Sequence, residues 1–129
     1  MSFRPKLVTV HDENHFIPRD FLRDCCGGFN AAPKEIRGST MAYVANFRGH
    51  RVTLIDTSKY GGIFTDWMIE TGHGRAARIE IKTEKAYRAA DHGFTAGEQW
   101  IQSNGGIEFY TVCNDNDFYD LLCDLVEME

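Results

Sequence analysis

The sequence predicts an α/β domain in which a mixed sheet of about four strands is flanked by helices, in the order helix, strand, strand, strand, helix, strand, helix. Three stretches carry that prediction. Residues 64–71 and 76–83 are rich in β-branched and aromatic side chains, and Gly72-His73-Gly74 between them supplies the positive φ that a tight hairpin needs. Thr95-Ala96-Gly97-Glu98 is a capping box: the threonine side chain caps a helix and the glutamate reaches back to the threonine amide. Phe118, Leu121, Leu122 and Leu125 recur at helical spacing and give a last helix over 117–126 one apolar stripe.

A chain of 129 residues is one domain by length, 1–129, able to bury about two-thirds of the surface its unfolded form exposes. Residues 1–32 read as an N-terminal extension, with a short strand at Leu7-Val8-Thr9-Val10, a short helix over 19–25, and a turn marked by Gly27-Gly28 and Pro33. The core then covers 33–126. Pro33 suits a first helical turn, and Ile36, Met41, Val44 and Phe47 recur at near-helical spacing until Gly49, which predicts a first core helix. Val52-Thr53-Leu54-Ile55 is a buried strand, and 56–62 is a loop whose Gly61-Gly62 lets the backbone approach closely. After the hairpin, 84–93 reads as a loop or ragged helix. The capped helix runs to about Ser103 and stops at Asn104-Gly105-Gly106, and 107–112 is a last strand.

The formal net charge is −5, but it is unevenly spread. All 14 Lys and Arg and 10 of the acidic residues lie at or before Arg88; the remaining 9 acidic residues follow it with no basic residue among them. That polarity allows a basic face of Arg75, Arg78, Lys82, Lys85 and Arg88 to meet phosphates, beside an acidic far side. Neither a signal peptide nor a run approaching the roughly 20 apolar residues of a membrane span is present, so a soluble, cytoplasmic chain is expected. Cys25, Cys26, Cys113 and Cys123 have no C-x-x-C spacing, and vicinal cysteines do not form an ordinary disulfide, so thiols in a reducing compartment are expected. His11 and His15 with Cys25 and Cys26 form the only zinc candidate, at a spacing unlike known structural sites.

The chemistry concentrates in the hairpin. Side chains alternate faces along a strand, so Arg78, Glu80 and Lys82 share one face while Ala77, Ile79 and Ile81 share the other, which turns to the core. Asp66 early on one strand lies opposite Glu80-Ile81-Lys82 late on the next, which places two carboxylates and an ammonium in one small volume. Carboxylates that close repel, and a bound Mg²⁺ offsets the cost.

These residues resemble a known family. Gly61-Gly62-Ile63-Phe64-Thr65-Asp66 leading into a strand, Ile79-Glu80-Ile81-Lys82 on the next, and Phe94-Thr95-Ala96-Gly97-Glu98-Gln99 opening a helix are similar to the PD-(D/E)xK nuclease superfamily, and within it to the small virus-type replication-repair nuclease (VRR-NUC) domains. Asp56-Thr57-Ser58 and the late Gly105-Gly106 fit the same pattern, and the likeness covers about 33–126. It implies a restriction-endonuclease-like core of αβββαβ order plus a C-terminal helix. It also implies a metal-dependent DNA endonuclease of the DNA-repair kind, phage-like in its small size and selective for branched, flap or junction DNA. By this resemblance Asp66 and Glu80 ligate Mg²⁺ or Mn²⁺ and the Ile81 carbonyl completes the site. Lys82 orients the attacking water and stabilises developing charge, and Gln99 holds water or lysine in place.

The pattern departs from the family at two points. Thr65 stands where the family has proline, and the carboxylate expected from the first helix has only Glu35 to supply it. For DNA contact the candidates are Lys59, Arg75, Arg78, Lys85, Tyr87 and Arg88, with Tyr87 as a stacking platform. Trp67 and Trp100 read as packing, and His73 and His92 as exposed polar residues. A homodimer fits a junction substrate, because one small domain contacts only one arm. No organic cofactor and no membrane partner is expected. The alternative is an inactive nuclease-fold protein serving as a DNA- or protein-binding or inhibitory module, motivated by Thr65, by the displaced Glu35 and by the acidic C-terminal third.

Overall fold

Alternation along the chain builds one sheet. In the computed structural model, which describes residues 15–60, 65–72 and 74–127, the elements are α1 (Pro18–Cys25), β1 (Gly27–Ala31), α2 (Lys34–Arg37), β2 (Ala42–Phe47), β3 (His50–Asp56), β4 (Trp67–Thr71), β5 (Ala76–Ile81), α3 (Glu84–Arg88), α4 (Ala96–Asn104), β6 (Glu108–Val112) and α5 (Asp115–Glu127). The six strands lie side by side in sequence order. Neighbours from β1 to β5 are antiparallel, and β5 and β6 are parallel.

The mixed α/β class holds, while the expected four strands become six among the described residues. The difference lies before Val52. The helix expected over 33–47 is reduced to the single turn α2, because Gly38 at φ 63° leaves the helical region and the chain re-enters as β2. There Tyr43, Ala45 and Phe47 are buried and alternate with the more open Ala42, Val44 and Asn46. The near-helical recurrence of Ile36, Met41, Val44 and Phe47 hid this period of two. Arg48 and Gly49, both at positive φ, form a two-residue hairpin turn that sets Phe47 opposite His50. The turn expected at Gly27-Gly28 is the start of β1, which pairs with β2 across an irregular register beside Gly28 at φ 66°.

One face of the sheet carries the core. Tyr43, Phe47, Val52, Leu54, Ile69, Ala77, Ile79 and Val112 face α1 and α5 there. Phe118 of α5 is fully buried against the rings of Phe16 and Phe21, at centroid distances of 5.7 and 5.2 Å. Within the N-terminal extension 1–32, α1 brings Phe21 and Leu22 to the core, and β1 extends the sheet. The reason is packing, since the β2–β3 ribbon needs apolar cover that α5 alone does not provide. On the opposite face, α4 follows its capping box, with both reciprocal hydrogen bonds formed, and packs the Phe94 ring edge-on to Phe109 at 5.7 Å. The expected strand at residues 7–10, the glycine pair 61–62 and His73 lie outside the described residues. Among the described residues, no helix is long and apolar enough to cross a membrane.

Phe118→Ala should cost about 3–5 kcal/mol in urea unfolding, since it opens a cavity where three rings meet. Ile36→Ala, at a side chain 80% exposed on α2, should change stability by less than about 0.5 kcal/mol.

Candidate active site

The hairpin delivers its charged residues to one end of the sheet. Trp67 pairs with Ile79, so Asp66, one residue before β4, stands beside Glu80. Asp66 is anchored: its Oδ2 accepts the Ile81 backbone N–H at 3.0 Å. The loop behind it is held by threonines, since the Thr57 hydroxyl donates to the Thr65 carbonyl at 2.6 Å and the Thr57 N–H to the Asp66 carbonyl at 3.1 Å. Thr65 is buried and donates to the Trp67 carbonyl at 3.1 Å. Hydrogen bonds thus shape the approach to β4 where the family pattern uses proline. Asp56 is spent on a neighbouring turn, accepting from the Ser58 N–H at 3.0 Å and its hydroxyl at 2.7 Å.

Asp66, Glu80, Ile81 and Lys82 line one open cleft of about 500 Å³, closed on other sides by Ser58, Trp67, Ala86 and residues 15–17. Lys82 Nζ lies 3.9 Å from Glu80 Oε2, 3.1 Å from Glu98 Oε1 and 3.0 Å from the Gly93 carbonyl, to which it donates. Two carboxylates therefore face one ammonium, with Asp66 acting on Glu80 from the side. Burial pushes the Glu80 carboxyl well above the ordinary carboxylate range, helped by its hydrogen bond to Glu98 and by the charge of Asp66, with Lys82 pulling the other way. Burial opposes ionisation of Glu98 too, but hydrogen bonds from Glu80, from the Thr95 N–H and from Lys82 hold it below its ordinary value. The two carboxyls are thus pushed apart: burial and acidic neighbours favour the neutral form of Glu80, while Lys82 and the Thr95 N–H favour the charged form of Glu98.

The other candidates divide by position. Gln99 is exposed, and its amide donates to the Phe94 carbonyl at 3.2 Å, whereas its neighbour Glu98 reaches the cluster. Glu35 is exposed in α2, on the connection between β1 and β2. With strands about 4.8 Å apart, β2 lies roughly 14 Å across the sheet from β5. Arg75 is committed at the opposite end of β5, forked onto both oxygens of Glu108 at 2.8 and 2.9 Å and bonded to α5 through Asp124. Its position in the turn explains why charge clustering in sequence does not become clustering in space. Arg78 shares the Glu80 face, and its Nε is buried with no hydrogen-bond partner. Lys59 donates to the Ser39 carbonyl at 2.7 Å. Lys85, Tyr87 and Arg88 stand exposed on α3, whose Ala86 lines the cleft; Tyr87 stacks on His92 at 4.3 Å and Arg88 pairs with Glu84 at 3.2 Å.

The donor set suits a hard cation. Mg²⁺ takes oxygen ligands, keeps several waters and needs only one or two carboxylates, and Asp66 and Glu80 are the carboxylates that line the cleft. No group of three or more His, Cys, Asp or Glu side chains is arranged to hold a metal among the described residues, at this cleft or around His15, Cys25 and Cys26. His11 lies outside the described residues. All four cysteines are free; burial raises the thiols of Cys25, Cys26 and Cys113, the last two to about 11.

Glu98 was legible in the sequence only as a helix cap. Its second role has no local signal, because its partner Lys82 lies on a different element. Comparison of the chain with known family models, curated proteins and solved structures finds no match.

The raised Glu80 carboxyl gives a pH dependence of known sign. The folded state holds a proton that the unfolded state releases near pH 4.5, so stability falls as pH rises above that value. The depressed Glu98 acts only below it, and the thiols only in the alkaline range. Melting temperature, measured without divalent cation from pH 5 to pH 8, should decline for the wild type. In Glu80→Gln, which mimics the protonated acid, this slope should flatten.

Proposed function

We propose that the cleft is the catalytic centre of a Mg²⁺- or Mn²⁺-dependent DNA endonuclease of PD-(D/E)xK, VRR-NUC-like character with a restriction-endonuclease-like core. The observation that carries the reading is the convergence of Asp66, Glu80 and Lys82 on one cleft. The run β3, β4, β5, α3, α4, β6, α5 lends the reading support, with β1, α2 and β2 standing between α1 and β3.

Asp66 and Glu80 would hold the ion, with the Ile81 carbonyl beside them. When bound, the ion supplies Lewis-acid stabilisation of charge on the phosphate oxygens and lowers the pKa of a bound water. Asp66 contributes a fixed carboxylate, because the Ile81 N–H pins one of its oxygens. Glu80 would hold the ion in its ionised form, which burial disfavours in the absence of a cation. Lys82 presents a compact cation at the cleft wall, where it orients the attacking water and counters charge on the phosphoryl group. Lys85, Tyr87 and Arg88 on α3, beside Ala86 at the rim, offer phosphate contacts and a stacking surface, and Arg78 offers a further cation on the Glu80 face. Such a small surface favours DNA shape over base sequence, hence flap, branched or junction substrates, bound by one copy or a homodimer.

The cluster's self-sufficiency favours a second reading. Lys82 already pairs with Glu98, and burial favours the neutral form of Glu80, so the cluster finds its partners within the chain. A non-catalytic DNA- or protein-binding or inhibitory module needs nothing more.

One experiment separates the two. The purified protein is incubated with flap, four-way and single-stranded DNA with and without Mn²⁺, alongside Asp66→Ala and Lys82→Ala. Cation-dependent cleavage should appear in the wild type and fall by about 100-fold or more in each variant, with circular dichroism unchanged. Cleavage that persists in both variants, or its absence on all three substrates, removes the nuclease reading.

A further inference from the structure

The Lys82 ammonium has three N–H bonds to place. One goes to the Gly93 carbonyl at 3.0 Å and one to Glu98 Oε1 at 3.1 Å, which leaves the third for Glu80, at 3.9 Å, and the cleft beyond it. Gly93 and Glu98 both come from the connection that leaves β5 and crosses the sheet, so the lysine is gripped from outside its own strand. Gly93 sits at φ 70°, where a side chain is strained, and an added Cβ would lie 3.1 Å from the Ala86 carbonyl, so its own carbonyl is closely placed.

Glu98 Oε1 accepts from two donors at once. The Thr95 N–H reaches it at 2.9 Å as half of the capping box, and Lys82 reaches it at 3.1 Å. A capping glutamate is ordinarily spent on its helix and turned to solvent; this one is only 15% exposed at its side chain and inserts between helix and strand. It therefore ties the start of α4 to the lysine.

We infer that Glu98 is the positioning residue of the site, fixing the Lys82 ammonium through the carboxylate oxygen that also accepts the Thr95 backbone N–H, in the place that the family resemblance gives to Gln99. The inference rests on the nuclease reading for its kinetic consequence, but the lock between Glu98 and Lys82 is a property of the protein itself. Glu98 is not among the residues that line the cleft and acts through the lysine. It determines where the lysine's remaining N–H points.

The test uses the full chain and two readouts. The first is the rate at which Lys82 is acylated by an amine-directed reagent, followed by mass spectrometry; the second is single-turnover cleavage of flap DNA at saturating protein with Mn²⁺. Glu98→Ala should acylate at Lys82 several-fold faster than the wild type and cleave about 100-fold more slowly at unchanged DNA affinity. Glu98→Gln, which keeps an accepting oxygen and the cap but loses the charge, should fall between the two, because charge-assisted hydrogen bonds are the stronger kind. Thr95→Ala removes the other half of the cap, the Thr95 hydroxyl that accepts from the Glu98 N–H at 3.2 Å, and should leave Lys82 acylation at the wild-type rate. The inference is overturned if Glu98→Ala leaves Lys82 acylation unchanged, or if Thr95→Ala raises it equally. Should Glu98→Ala fail to fold, acylation of Glu98→Gln decides, and equality with the wild type overturns the inference. A wild type that cleaves nothing defeats the nuclease reading alone, since the acylation result stands or falls separately.

Discussion

The parallel pairing of β5 with β6 governs the rest of the molecule. Antiparallel strands can follow one another through a tight turn, as β2 and β3 do, but a parallel partner must be reached by a crossover. Chain leaving Ile81 therefore has to cross one face of the sheet before it returns at Glu108, and α3 and α4 are that crossing. The face they cover is the one to which strand alternation assigns Arg78, Glu80 and Lys82. The opposite face is already filled by α1 and α5 around Phe118. A single topological choice thus converts a charged strand face into a buried, charged seam.

The seam is electrostatically unusual because burial and like charge act together. Under α4, burial and acidic neighbours raise the Glu80 carboxyl above its ordinary range while Glu98 is held below its own. The asymmetry has a plain cause: Glu98 receives the Thr95 N–H and the closer approach of Lys82, whereas Glu80 has the deeper burial and two acidic neighbours.

Several parts of the fold were legible in the sequence because their signals are local. Gly72 and Gly74 bracket a turn between two β-rich stretches, Thr95 and Glu98 announce a helix start, and Phe118, Leu121, Leu122 and Leu125 declare a buried helix face. The segment before Val52 misled for an equally physical reason. Ile36, Met41, Val44 and Phe47 satisfy a helical spacing by coincidence, while the deciding features, Gly38 at positive φ and the Arg48-Gly49 turn, are backbone conformations that composition does not display. Likewise the basic residues between Arg75 and Arg88 are close in sequence, yet a strand separates Arg75 from Lys82 and hands it to Glu108 and Asp124.

By itself the sequence determined the elements whose hydrogen bonds and apolar faces close within a few residues, and it placed Asp66 and Glu80 together because a hairpin's register follows from its turn. Only the tertiary structure decided that Glu98 rather than Gln99 meets Lys82, that Glu35 stands exposed on the connection between β1 and β2, and that Phe16, Phe21 and Leu22 belong to the core. Those outcomes depend on how far and over which face a crossover carries the chain. That distance is set by the packing of whole layers, which no short window of residues encodes.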